Sequence, residues 1–279
     1  MTTQVAFVTG ANQGLGLSLV RLLGRQLGDD GVVYLAARDR GRGEQAVATL
    51  RAEGLNPVFH QLDVRDTGQV DEAASLLHER HGGVDIVLSN AALRRTREVS
   101  DADTIRAFID TNNRGAHRMI RAFGPILNDN ARFVVVASAF GRLRYLREDL
   151  RDTFDTTTMT NQDLEKILDD YTALVESGQD KQAGWPDSVN VVSKIGQVAA
   201  IRIMARDYGS QARTRGILIN AGCPGLIDTE ASRPWFDDMS AAKSPDEGAV
   251  DVAWLATLPP GTTKPYGELV QYRKVLSYG

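Results

Sequence analysis

Three glycines with the spacing of a phosphate-binding turn stand near the start of the sequence. Gly10, Gly14 and Gly16 follow the short apolar run at 5–9, and an apolar helical pattern comes directly after them. This order predicts a strand, a tight turn and a helix whose free N–H groups and positive dipole end face the turn. Glycine suits such a turn because it tolerates positive φ and lets the backbone approach a pyrophosphate closely. The chemistry that this stretch predicts is the binding of a phosphate-bearing nucleotide.

Further apolar runs alternate with helical patterns along the chain. Strands are predicted at 31–37, 57–62, 84–88, 132–137, 216–220 and 269–272. Because these strands are continuous apolar runs separated by helices, they indicate a parallel sheet that is covered on both faces. Right-handed crossovers then give a Rossmann-type doubly wound α/β sheet, with ligands at the carboxyl ends of the strands.

The pattern changes between residues 140 and 187. A charged stretch and a threonine-rich loop precede a predicted helix at 161–176, for which Thr160 is a suitable N-cap. The alternation typical of the sheet resumes with a helix predicted from about 188 to 208. No repeat or low-complexity tract divides the chain. We therefore predict a single dinucleotide-binding domain over 1–279, with a helical insert at about 140–187 that is too long for an idle loop.

Composition excludes several classes of function. The 279 residues carry a net charge of −4, which argues against a nucleic-acid groove or an anionic membrane as the main partner. Cys223 is the only cysteine, so no internal disulfide can form, and a cytoplasmic location is favoured. The four histidines show no metal-ligand spacing, and neither a secretory signal nor a membrane-spanning segment is apparent. We expect no metal, and a small-molecule substrate.

Short polar patterns coincide with the predicted strand ends. They are Asp63-Val64, Asn90-Ala91-Ala92, Asn112, Ser138, Lys194, and Pro224-Gly225 with Thr229. Together with the glycine turn, this set resembles the short-chain dehydrogenase/reductase family, and the resemblance covers essentially the whole chain. The insert that ends at Gly184-Trp-Pro186, the run Lys194-Ile-Gly196 and the stretch from Asn220 to Gly225 are similar to the monomeric carbonyl reductases within that family.

The resemblance implies that the cofactor is NADPH. In the family the residue after the second strand selects the cofactor, and NAD enzymes usually have an acid there. This chain has Ala37 followed by Arg38, whose guanidinium suits a 2′-phosphate. Gln13 departs from the basic residue that carbonyl reductases often have at its position. The residues that the resemblance assigns to the cofactor are Gly10, Asn12, Gln13, Gly14, Leu15, Gly16, Arg38, Asp63, Val64, Asn90, Ala91, Lys194, Pro224, Gly225, Leu226 and Thr229.

The resemblance also implies a catalytic serine, tyrosine and lysine, and this chain departs from that set at the tyrosine. The family's tyrosine stands four residues before the lysine and gives a proton to the carbonyl oxygen, whereas Asn190 occupies that position here. An asparagine amide donates a hydrogen bond but supplies no proton at neutral pH. The other catalytic residues of the family are retained here as Ser138, Lys194 and Asn112. In the family, the serine orients the substrate oxygen, the lysine holds the nicotinamide ribose and the asparagine supports a water relay to the lysine.

Three functions are compatible with this departure. The first is an NADPH-dependent reductase of a carbonyl or imine in a medium-sized organic substrate, with its proton from relayed water, from the substrate or from a tyrosine of the insert such as Tyr145. The second is a non-redox cyclase or isomerase that polarises a carbonyl with Ser138, Asn190 and Lys194. The third is a catalytically inactive nucleotide-binding protein. We favour the first because Ser138, Lys194 and the cofactor residues are retained. The insert covers a surface that other family members use for tetramers, so the resemblance implies a monomer.

Overall fold

A computed structural model describes residues 3–279. Its strands are β1 (Gln4–Thr9), β2 (Gly31–Ala37), β3 (Val58–Gln61), β4 (Val84–Ser89), β5 (Leu127–Val136), β6 (Leu218–Cys223), β7 (Leu269–Gln271) and β8 (Lys274–Leu276). Its helices are α1 (Gly14–Leu27), α2 (Arg40–Ala52), α3 (Thr67–His81), α4 (Asp101–Ile109), α5 (Gly115–Phe123), α6 (Glu148–Arg151), α7 (Asn161–Glu176), α8 (Val189–Arg215) and α9 (Pro245–Ala256).

The strands form one sheet in the order β3-β2-β1-β4-β5-β6-β7-β8. All neighbouring strands run parallel except the hairpin of β7 with β8. The chain winds outward in one direction from β1 to β3 and in the other from β4 to β7, so a crevice opens where the order reverses. The predicted Rossmann-type doubly wound α/β sheet in a single domain is confirmed.

Apolar residues fill two layers, one on each face of the sheet. In β1, Val5 and Phe7 belong to the layer on one face, whereas Ala6 and Val8 belong to the other. The first layer includes side chains of α3, α4, α5, α7 and α8, and the second those of α1, α2 and α9. This alternation follows from the period of two in a strand, and it explains why a strand with a helical layer on each face, such as β1, is apolar at successive positions.

The observed elements differ from the sequence prediction mainly at their ends. Helix α7 has the predicted bounds, and Thr160 and Asp163 form a full capping box at its start. Helix α8, however, continues to Arg215, well beyond the expected end near residue 208. It passes through Gly209 and ends where Gly216 takes the left-handed conformation with φ +66°. Because Gly costs a helix only about 1 kcal/mol, one glycine did not end this one.

Candidate active site

The glycine turn joins β1 to α1 and needs glycine for steric reasons. Gly10 and Gly14 have φ of +62° and +54°, and a Cβ on Gly10 would lie 2.7 Å from the Cα of Ala91. A Cβ on Gly16 would overlap the carbonyl of Gly10. Helix α1 begins at Gly14, and no side chain caps its first turn. Its uncapped N–H groups and positive dipole end therefore suit a pyrophosphate.

Asn90 and Thr9 brace this turn against β4. The Asn90 side-chain amide donates to the carbonyls of Thr9 and Gly10, at 2.9 and 3.2 Å. The buried Thr9 hydroxyl accepts from the backbone N–H groups of Asn90 and Ala91, at 2.9 and 3.0 Å. The amide of Asn90 thus fixes the shape of the turn, and its predicted contact with the cofactor stays a prediction.

The residues predicted for the adenosine end of NADPH follow β2 and β3. Arg38 is exposed, and no carboxylate within residues 3–279 pairs with it. The neighbouring Asp39 accepts from the backbone N–H of Arg42 at 2.8 Å and so caps α2. The carboxylate of Asp63 binds the guanidinium of Arg65 at 2.7 Å, beside a cavity of about 460 Å³. Among the described residues, Arg38 is therefore a cation at this end whose guanidinium is not in an ion pair.

Ser138 and Lys194 meet at the carboxyl edge of the sheet. Ser138 lies in a tight turn after β5 that packs against α8 at Gly141, where a Cβ would lie 2.9 Å from the carbonyl oxygen of Lys194. The Lys194 ammonium donates to the carbonyl of Val136 at 3.2 Å, two residues before the serine. Burial lowers the pKa of Lys194 to about 8, against a smaller opposing effect of the Cys223 thiol. The amine of Lys194 is thus anchored at the end of β5, two residues before Ser138, whose hydroxyl accepts from the backbone N–H of Phe140 at 3.3 Å.

Asn190 lies one helical turn before Lys194, on the same face of α8. It is half-buried, and it is not among the hydrogen-bond partners of the ammonium, which are the oxygens of Val136 and Gln197. Within residues 3–279, no tyrosine hydroxyl is bonded to the ammonium either. In the described part of the chain, the amine is therefore bonded to a backbone carbonyl and a carboxamide, and to no phenol.

Tyr145, which the sequence offered as a substitute acid, points its hydroxyl at two arginines. That oxygen accepts from Arg144 at 3.0 Å and from Arg142 at 3.3 Å, and its ring packs edge-on against Phe140 at 5.4 Å. The hydrogen bond from Arg144, aided by Arg142, lowers the pKa of Tyr145. The same contacts tie the hydroxyl to two arginines of the insert.

A widened turn of π-helix between α4 and α5 connects the site to α8. Asn112 lies in this turn, and its side-chain oxygen accepts from the backbone N–H of Leu93 at 2.8 Å. Its backbone carbonyl accepts from the Gln197 amide at 2.8 Å, and its predicted part in a relay to Lys194 stays a prediction. Beside it, Asn113 and Ser193 exchange two buried hydrogen bonds of 2.8 and 2.7 Å.

Gln197, Asn113 and Ser193 were missed by the sequence reasoning. Gln197 and Ser193 stand among buried apolar residues of α8, and this interruption of an apolar face was the available signal. Because buried polar groups are almost always hydrogen-bonded, such residues call for a partner on a neighbouring element.

Two loops face each other above the strand ends. Arg94 pairs with Glu230 at 2.9 Å, and the guanidinium of Arg95 lies 4.5 Å from the centre of the Trp235 ring. The loop after β4 is thereby joined to the loop after β6. The latter carries the predicted cofactor residues Pro224, Gly225, Leu226 and Thr229, whereas Asn12, Gln13 and Leu15 lie on the glycine turn and α1, and Val64 follows β3.

Two structural features are absent from residues 3–279. No group of three or more His, Cys, Asp or Glu side chains is placed to hold a metal ion. No helix combines the length and apolar character needed to cross a bilayer.

The sequence matches known proteins over nearly its full length. It is 36% identical to Carbonyl reductase [NADPH] 1 of Mus musculus, with 97% of each chain covered, and 34% identical to Carbonyl reductase [NADPH] 3 of Homo sapiens, with 99% of each covered. The fold resembles salutaridine reductase of Papaver somniferum, with a TM-score of 0.83 at 23% identity over 95% of this chain and 99% of the other. The profile described as "short chain dehydrogenase" matches residues 4–148. With this profile match, these relatives and the doubly wound sheet, the chain belongs to the short-chain dehydrogenase family.

Proposed function

We propose that this protein is an NADPH-dependent reductase of a carbonyl or imine group in a medium-sized organic substrate, and that it works without the phenolic acid usual in its family. The observation that carries the proposal is the anchoring of the Lys194 ammonium to the carbonyl of Val136, two residues before Ser138, at the carboxyl end of β5. The curated relatives named above are NADPH-dependent carbonyl reductases by name.

The choice of NADPH over NADH rests on the end of β2. Within residues 3–279, Arg38 pairs with no carboxylate, and Asp39 caps α2 through one of its oxygens. An unpaired guanidinium can take a 2′-phosphate in charge-assisted hydrogen bonds, whereas the capping contact competes with any bond from the ribose hydroxyls of NADH to Asp39.

Each residue at the reacting end has a role that its chemistry allows. When bound, NADPH supplies a hydride. The Ser138 hydroxyl and the Asn190 amide can donate hydrogen bonds to the oxygen or nitrogen of the substrate and polarise it. Lys194 can donate its remaining N–H to the ribose of the cofactor. None of the three is a phenol, so the proton of a carbonyl reduction has to reach the product from water or from the substrate.

A second candidate is a non-redox cyclase or isomerase in the same pocket, and Asn190 favours it. Two hydrogen-bond donors that converge on a carbonyl stabilise an enolate or oxyanion without hydride transfer. A third candidate, a nucleotide-binding protein without activity, would keep the glycine turn but need neither Ser138 nor Lys194.

We also propose a monomer. Helix α7 of the insert packs against α4 and α8, with Leu168 against Gly196 of α8. In this arrangement α7 covers the helical face that the family resemblance assigns to tetramers. Light scattering coupled to gel filtration tests it directly.

The deciding experiment compares the native protein with Asn190→Tyr. Both are incubated with NADPH and a panel of activated ketones, aldehydes and cyclic imines, and the absorbance of the reduced cofactor is followed. A positioned general acid contributes about 10²–10⁴ in rate. We therefore expect Asn190→Tyr to reduce ketones faster by about that factor, and preformed iminium ions nearly as fast as the native chain.

Ser138→Ala, made in both the native protein and Asn190→Tyr, serves as the matched control. It removes the same hydrogen-bond donor from each of them. If native protein converts a carbonyl compound while NADPH stays reduced, the non-redox enzyme is correct. If neither version oxidises NADPH with any compound although both bind it, the reductase proposal is wrong.

A further inference from the structure

The ammonium of Lys194 is bound on its interior side by the side chain of Gln197, to which no role has yet been assigned. Gln197 stands three residues further along α8, and only 3% of its surface is exposed. Its side-chain oxygen accepts from the Lys194 ammonium at 2.7 Å, the shorter of the two hydrogen bonds that this ammonium makes within residues 3–279.

The same amide completes a bridge to the turn of π-helix. Its nitrogen donates to the backbone carbonyl of Asn112 at 2.8 Å. The orientation of the amide is fixed by its partners, because a flipped amide would set its NH₂ against an ammonium and its oxygen against a carbonyl. Gln197 therefore provides an acceptor for one N–H of the Lys194 ammonium and a donor for the backbone carbonyl of Asn112 inside the protein.

The bridge also determines where the amine can exchange protons. An ammonium has three N–H donors, and two of them are committed to the oxygens of Val136 and Gln197. Neither oxygen carries a proton, and a carboxamide, unlike a water molecule, does not pass one on at neutral pH. One N–H is left, and it is free to face the crevice.

We infer that Gln197 is a positioning residue that fixes the Lys194 ammonium by bridging it to Asn112, and that it closes the interior side of this amine to proton exchange. The effect of this bridge on catalysis rests on the proposed reductase function, since the bridge limits the protons available for reduction to those that enter from the crevice. The effect of the bridge on the Lys194 amine does not depend on turnover.

The test measures the amine directly. The protein has six lysines, so lysine-selective ¹³C and ¹⁵N labelling gives a spectrum in which each Cε titrates separately. Native protein is compared with Gln197→Met, which keeps the length of the side chain and removes both bonds. Gln211→Met is the matched control, because it makes the same change at an exposed position of the same helix.

The pKa of Lys194 is expected to shift in opposite directions in two variants. Gln197→Met removes the acceptor that stabilises the charged amine, so the titration of Lys194 should move down by about one to two pH units. Gln197→Glu places a carboxylate there and should move it up. The ¹⁵N signal of the ammonium should exchange slowly with water in native protein, still more slowly with NADPH bound, and faster in Gln197→Met. Gln211→Met should match native protein throughout.

The inference is overturned if Gln197→Met, with a native-like spectrum elsewhere, titrates and exchanges like native protein. If Gln197→Met does not fold, Gln197→Glu decides, and an unmoved Lys194 in it overturns the inference. Failure of the reductase proposal looks different, because no NADPH would be oxidised by native protein although these lysine signals behave as expected.

Discussion

Replacement of Arg38 by alanine is expected to weaken the binding of NADPH and to leave that of NADH nearly unchanged. Arg38 follows β2 without an acidic partner, so its guanidinium is available to a 2′-phosphate. A hydrogen bond to a charged group contributes about 1.5–3 kcal/mol, and solvent screening at an exposed residue puts the loss near the lower value. This corresponds to about a tenfold rise in the Kd of NADPH.

The assay is a fluorescence titration of native and variant protein with each nucleotide, at low and at high salt. Because salt screens an exposed ion pair, the affinity of native protein for NADPH should fall more with salt than that of Arg38→Ala. Arg40→Ala is the matched control. It removes the same charge two residues away, where the guanidinium already pairs with Glu44 at 3.3 Å.

Two results would refute this reasoning. If Arg38→Ala weakens both nucleotides equally, the residue supports the fold of the site and does not read the 2′-phosphate. If Arg40→Ala costs as much NADPH affinity as Arg38→Ala, the effect is one of overall charge at this edge, and the position of Arg38 has no special value.

Two further predictions concern the reacting end. Because burial lowers the pKa of Lys194 from an ordinary 10.5 to about 8, its ammonium is charged below that pH and neutral above it. NADPH affinity should therefore fall as the pH rises through about 8, Lys194→Met should remove this step, and a flat native profile would contradict the assignment. Tyr145→Phe should change the rate of NADPH oxidation by less than about tenfold, since Arg142 and Arg144 already hold that hydroxyl. A loss of about a hundredfold or more would instead make Tyr145 the acid.

Much of the fold could be predicted from the sequence because its signals are local. The glycine turn, the apolar strands and the capping box at Thr160 each depend on residues within a few positions of one another. The ends of elements were less predictable. Helix α8 passes through Gly209 because packing along the rest of the helix outweighs the small cost of one glycine.

The candidate site divides in the same way. Ser138, Asn190 and Lys194 could be named from their spacing, and the structure bonds the Lys194 ammonium to the carbonyl of Val136, two residues before Ser138. The partners of Lys194 could not be named. Gln197 looks like an isolated polar residue in an apolar helix until the carbonyl of Asn112, 85 positions away, lies against it.

The sequence by itself determined a doubly wound sheet, a nucleotide turn at its centre and the absence of a tyrosine one turn before the lysine. Each of these is written in the types and spacing of neighbouring residues. Only the tertiary structure decided that the side chains of Asp39 and Asn90 form hydrogen bonds with backbone groups of the protein. It also decided that the Tyr145 hydroxyl binds two arginines and that Gln197 binds the amine of Lys194. The physical reason is that a hydrogen bond depends on distances of a few ångströms between groups far apart in the chain, and only folding sets those distances.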